Sequence, residues 1–104
     1  MAKSAIVIGS GIAGIASAIR LANRGYTVSV FEANSYPGGK LSEISLGEYR
    51  FDAGPSLFTL PHLVDELFEL SGLNPKDYFE YVQLDETCRY FYADGSRLTA
   101  WYDK

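Results

Sequence analysis

Two features of the sequence are suited to chemistry: a run of glycines near the start and one acid downstream of it. Gly9-Ser10-Gly11-Ile12-Ala13-Gly14 has the spacing G-x-G-x-x-G, and Glu32 stands 21 residues after Gly11. A glycine hexad alone is weak evidence, because glycine-rich helix starts are common. Combined with a preceding strand, a following helix and the acid, it describes a dinucleotide cradle. Gly9 permits the tight turn, Gly11 lets a pyrophosphate approach the backbone, and Gly14 lets helix and strand pack closely. Ser10, Ile12 and Ala13 complete the loop, and the amides and dipole of the helix start attract the anion. Glu32, with Ala33 beside it, can accept hydrogen bonds from the ribose hydroxyls and would repel a 2′-phosphate, which disfavours NADP.

The elements needed to position these residues are legible. Ala5-Ile6-Val7-Ile8 is a continuous apolar run, read as a parallel-sheet strand buried on both faces. Ile12, Ile15, Ala16 and Ile19 recur at helical spacing, predicting a helix from about Ile12 to Arg24 that stops at Gly25. Thr27–Phe31 reads as a second strand, and residues 34–40 as a loop containing Pro37-Gly38-Gly39-Lys40. Glu43–Leu46 and Glu48–Phe51 flank Gly47 as a small hairpin. A second helix is expected with Thr59 as its cap and Pro61 in its first turn. Its apolar stripe is Leu60, Leu63, Val64, Leu67 and Phe68, and Gly72 closes it. Beyond it, Cys88–Ala93 and Arg97–Tyr102 around Asp94-Gly95 read as a hairpin, with Tyr81–Leu84 as a third antiparallel strand.

On these residues the sequence resembles a known family. Val7–Glu32 looks like the FAD fingerprint of the flavin amine oxidase and carotenoid desaturase group, and Gly38-Gly39-Lys40 like that group's Gly-Gly-Arg/Lys motif. Phe51-Asp52-Ala53-Gly54-Pro55-Ser56 resembles the Phe-Asp-x-Gly-Pro segment of phytoene desaturases and related carotenoid dehydrogenases or isomerases. Arg89–Gly95 resembles the hairpin that opens the family's substrate domain. The likeness covers nearly all 104 residues. It implies FAD as the cofactor, with Gly39 and Lys40 along its ribityl–pyrophosphate side and Gly54, Pro55 and Ser56 near the flavin by their backbones. Lys40 stands where many members carry arginine, so charge is kept and the bidentate fork lost.

The fold class expected is α/β: a partial Rossmann-like FAD-binding βαβ unit, then a helix and the start of an antiparallel substrate-domain sheet. The domains implied are 1–78 for FAD binding and 79–104 for the beginning of the substrate domain. Members of the family are several times longer, so the chain is expected to be an N-terminal portion of an oxidoreductase acting on a long apolar polyene, inactive by itself. A flavin amine oxidase shares the first two motifs. A non-catalytic module that binds a dinucleotide and self-associates through open sheet edges is the competing reading from another class.

Bulk properties narrow the field further. Net charge is −4, and residues 53–104 carry most of the acidic excess. Without a Lys/Arg cluster, nucleic acid is not an expected partner. The single cysteine, Cys88, excludes an internal disulfide and fits a reducing compartment such as the cytoplasm, where the full-length protein could sit against a membrane surface. Lys3, the apolar run and Ala16-Ser17-Ala18 imitate a signal peptide, but Gly9, Gly11, Gly14, Arg20 and Arg24 fit one poorly. No stretch approaches the ~20 apolar residues of a membrane span. The length suits one domain with an ordinary core.

No acid–base pair, metal-ligand cluster or nucleophile set stands out, so catalytic residues stay unassigned. His62 is expected on the polar side of its helix and Cys88 as a small packing residue. Asp52 is read as stabilising its turn. Tyr81, Tyr90, Phe91, Tyr92, Trp101 and Tyr102 could line a polyene site, but packing of the sheet is the default reading.

Overall fold

The computed structural model describes residues 3–102. Lys3–Ile8 forms β1, Ile12–Asn23 forms α1, and Tyr26–Phe31 forms β2. β1 and β2 pair in parallel, with Ala5 opposite Val28 and Val7 opposite Val30. The chain reverses at Gly25, whose φ of 82° lies in the left-handed region that glycine tolerates. This is the βαβ unit foreseen from the sequence.

The strand is not buried on both faces, however. Ala5, Val7 and Val28 are half-buried on the side that α1 covers. On the other side Ile6 is 68% exposed, Ile8 89% and Phe31 59%. A two-stranded sheet with one helix has a single covered face, and among the described residues no second layer lies against the other.

Glu43–Leu46 (β3) and Tyr49–Asp52 (β4) form an antiparallel hairpin around Gly47. Arg50 lies beside both Glu43 and Asp52, and the Asp52 contact is 3.7 Å. Pro61–Leu70 forms α2. Its cap is Leu60 rather than Thr59, because Pro61 takes the first helical position and makes its immediate predecessor the boundary residue. Leu60 adopts φ 52° and ψ 51°, and no side chain caps the helix. Asp65 and Glu66 stand beyond the first turn, where Asp65 accepts the Tyr81 hydroxyl at 2.7 Å and Glu66 pairs with Arg20 at 3.2 Å. Of the expected stripe, Leu67 is buried, Val64 and Phe68 are half-buried, and Leu60 and Leu63 are exposed. His62 is exposed, as expected for the polar side of a helix start.

A 3-10 turn at Pro75–Asp77 follows, with the Lys76 amide donating to the Asn74 side chain at 3.3 Å. Phe68 packs on Tyr78 and Phe79 with ring centroids 5.0 and 5.5 Å apart, and Phe58 lies against Phe79 and Tyr81. This cluster overturns the third strand expected at Tyr81–Leu84, since the ring and hydroxyl of Tyr81 draw it to α2 and away from any strand edge. Glu86–Phe91 (β5) and Arg97–Trp101 (β6) form the last hairpin, closed by Asp94, which accepts the Ser96 amide at 2.8 Å.

Core packing of the hairpin aromatics is not what the structure shows. Tyr81, Tyr90, Phe91, Tyr92, Trp101 and Tyr102 are all exposed, as is Cys88. Among the described residues Leu67 is the one buried apolar side chain. The radius of gyration, 18.3 Å, exceeds the ~13 Å of a compact chain this long. Among the described residues, the three sheets of two strands each therefore do not share a single core. No described helix is long and apolar enough to cross a membrane.

Candidate functional site

The site is built where β1 passes into α1. Gly9 turns the chain with φ 96°, and its amide donates to Phe31 O at 2.7 Å, tying the turn to the end of β2. Gly11 is the cap of α1, and the first intrahelical bond runs from Ile15 N to Gly11 O. The amides of Ile12, Ala13 and Gly14 thus have no intrahelical acceptor. No side chain caps this end, and no acid stands in its first turn. The positive end of the helix dipole is left open to an anion.

The glycines differ in their reasons. A Cβ on Gly14 would lie 2.0 Å from Gly9 O, so glycine is needed there for the helix to meet the turn. Gly11 has an ordinary extended backbone, and a Cβ there would meet nothing within 4 Å. No protein atom requires glycine at 11. The space beside its α-carbon is free for a ligand.

The loop after β2 closes on this turn. Gly38 N donates to Ser10 O at 2.8 Å, forming a parallel bridge between Gly11 and Gly38, and a Cβ on Gly39 would lie 3.1 Å from the Gly11 α-carbon. Gly54 in turn sits against the loop, since a Cβ there would come within 1.9 Å of Lys40 O. Ala53 N donates to Ser42 O at 2.9 Å and holds that contact. Three segments distant in sequence are thereby stacked: Gly9–Gly14, Gly38–Lys40 and Ala53–Gly54. Lys40 is exposed. Pro55 lines a cleft of about 480 Å³ with Tyr36, Pro37, Leu41 and Ser42 among others. Ser56 lies in the exposed segment beyond, and Ala33 is exposed beside Glu32.

Glu32 follows β2 and turns back to the hexad. Its Oε2 accepts the Ser10 amide at 2.7 Å and the Ser10 hydroxyl at 2.8 Å. Its Oε1 accepts the Asn34 amide at 2.9 Å and the Asn34 side-chain amide at 3.0 Å. These donors, the Asn34 amide foremost, hold the carboxyl pKa down from 4.5 to about 2. The group is ionised throughout the physiological range.

Two members of this site have weaker signals in the sequence: Gly38 belongs to a loop motif, and Asn34 is the first residue of that loop. Asn34 carries only the general signal that asparagine favours turns. Asp52 pairs with Arg50 two residues earlier in β4. Among the described residues no group of three or more His, Cys, Asp or Glu could hold a metal ion.

Residues 7–70 match the family described as NAD(P)-binding Rossmann-like domain. A 1-hydroxycarotenoid 3,4-desaturase of Flavobacterium sp. (strain P99-3) is 58% identical over 98 residues, which cover 94% of this chain and 20% of that relative. A 4,4′-diaponeurosporene oxygenase of Staphylococcus aureus (strain MRSA252) is 41% identical over 98 residues, with the same coverage. The chain thus spans about a fifth of the length of the curated relatives it matches. The matches run through all three stacked segments, and the chain belongs to the NAD(P)-binding Rossmann-like family as a homologue of carotenoid desaturases and oxygenases.

Proposed function

We propose that this chain forms the dinucleotide cradle of an FAD-dependent oxidoreductase that acts on a long apolar polyene. The observation that carries the reading is the uncapped start of α1, open beside Gly11, with the ionised Glu32 fixed next to it. In this reading the amides of Ile12, Ala13 and Gly14 receive the pyrophosphate, Glu32 takes the adenosine ribose, and Lys40 offsets phosphate charge. Gly39, Gly54, Pro55 and Ser56 lie toward the flavin. When bound, FAD would accept a hydride from the substrate or mediate its redox-linked isomerisation. The chain's own residues bind and orient, and none of them acts as acid or base.

The choice of FAD over a nicotinamide dinucleotide rests on the second and third segments. A nicotinamide fingerprint needs only the hexad and the acid. Here Gly38–Lys40 packs on the hexad and Ala53–Gly54 on Lys40, which supports a cradle longer than the hexad alone provides. The division into 1–78 and 79–104 belongs to the same reading, with the β5–β6 hairpin opening the substrate-binding part.

Affinity should be modest in the chain alone. Three backbone amides at about 1 kcal/mol each and a helix terminus at about 0.3–2 kcal/mol give roughly 4 kcal/mol, which corresponds to millimolar binding. Equilibrium dialysis against FAD, NAD and NADP tests the cofactor, with FAD expected to be retained most and NADP least. Equal retention of NAD and FAD would reassign the site. Turnover of the whole protein carrying this chain, on acyclic polyenes and on amines, separates the polyene reading from an amine oxidase.

A second reading rests on a different observation, the uncovered face of Ile6, Ile8 and Phe31. A non-catalytic module would use it to pair with another chain. Sedimentation of the 104-residue protein tests this, and a clean monomer without nucleotide affinity leaves it no support.

A further inference from the structure

The Glu32 carboxylate is saturated. A carboxylate offers about four acceptor positions on its two oxygens, and here each oxygen already holds one backbone and one side-chain donor. The Ser10 and Asn34 amides are fixed by the chain path. The Ser10 hydroxyl and the Asn34 side-chain amide can rotate away.

We propose that the Ser10 and Asn34 side chains form a clasp that occupies Glu32 in place of the two ribose hydroxyls and must be displaced when a nucleotide binds. The proposal rests on the dinucleotide reading above. The match is one of number and kind: a vicinal diol brings two O–H donors, and the clasp gives up two, one from each oxygen. After exchange each oxygen again holds one backbone donor and one mobile donor. The ionised acid is kept satisfied and correctly turned before ligand arrives, so it needs no reorganisation to receive the ribose. The cost falls unevenly. Asn34 is exposed and its freed amide enters water, whereas Ser10 is only 6% exposed and its freed hydroxyl has little access to water. Ser10 is the stronger brake on binding and Asn34 the weaker.

A brake of this kind makes a counterintuitive prediction, because removing a hydrogen-bonding side chain should tighten the ligand. The test is an NMR titration of the 104-residue chain with ADP and with 2′,3′-dideoxy-ADP, in wild type, Ser10→Ala and Asn34→Ala. The expected result is ADP binding about tenfold tighter in Ser10→Ala and about threefold tighter in Asn34→Ala, with dideoxy-ADP changed by less than about twofold. Asn34→Ala alters an exposed side chain, so it reads the exchange even if Ser10→Ala disturbs the turn. Weakening of both nucleotides together would overturn the proposal and leave the two residues as supports for Glu32. Weakening of ADP alone would overturn it as well. Absence of any ADP-induced shift at Gly11–Gly14 in the wild type would instead remove the dinucleotide reading, and the proposal with it.

Discussion

Replacing Gly11 with alanine separates folding from binding in a way that few substitutions in this chain can. The backbone at Gly11, φ −67° and ψ 175°, is open to any residue, and the added methyl would meet nothing within 4 Å. Alanine is a poorer cap than glycine by roughly 0.5–1 kcal/mol. It also restricts the unfolded chain, which returns about 0.4–1 kcal/mol. The net effect on stability should lie within about 0.5 kcal/mol of zero. Binding is another matter, because the methyl occupies the space where a pyrophosphate must approach the helix amides. A loss of at least about tenfold in ADP affinity is expected when a close backbone approach is blocked. Gly14→Ala is the contrasting control. Its methyl would lie 2.0 Å from Gly9 O, an overpacking that costs about 1–3 kcal/mol against a helix-propensity gain of about 1. It should lower the urea midpoint and weaken ADP together. Urea unfolding and an ADP titration on both variants make the assay. If Gly11→Ala keeps its fold and binds ADP like the wild type, no ligand comes close to that turn and the reasoning fails.

Other consequences concern stability. Leu67→Ala should cost about 2–4 kcal/mol, well above Leu63→Ala, since Leu67 is buried between elements and Leu63 is exposed; chemical denaturation of the pair decides. Leu60→Asn should raise stability by roughly 0.5–1 kcal/mol, because asparagine tolerates the left-handed backbone that leucine holds there, and a lowered urea midpoint would contradict this. Glu32 has its pKa depressed from 4.5 to about 2 in the folded chain, so its stabilising contribution is complete above pH 4.5 and is lost as pH falls toward 2. The difference in melting temperature between wild type and Glu32→Gln should therefore shrink over that window, and a difference that persists at pH 2 would refute the hydrogen-bonded, ionised carboxylate.

The parts legible in the sequence are those whose signals are local. Gly9 and Gly25 mark turns, Gly14 marks the close approach of α1 to the first of them, and the apolar periods between define β1, α1 and β2. The Gly47 and Asp94-Gly95 turns likewise announce their hairpins. The misreadings arise where the outcome depends on what lies across space. Ile6 and Ile8 read as buried because apolar strands usually are, but burial needs a second layer. Tyr81 alternates like a strand residue, yet its ring finds Phe58 and Phe79 before any strand edge. In the site, the hexad and Glu32 were visible as spacing. The stacking of Gly38 and Gly39 on the hexad, and of Gly54 on Lys40, was not, because only the fold brings these residues together.

The central claim is that the three stacked segments form one cradle for FAD, and amide shifts of the ¹⁵N-labelled chain on titration with FAD and with ADP test it most directly. ADP should shift Gly11–Gly14 and the residues around Glu32, and FAD should shift these and also Gly39 and Gly54–Ser56. Identical shift patterns for the two ligands, or NADP binding as tightly as FAD, would contradict it.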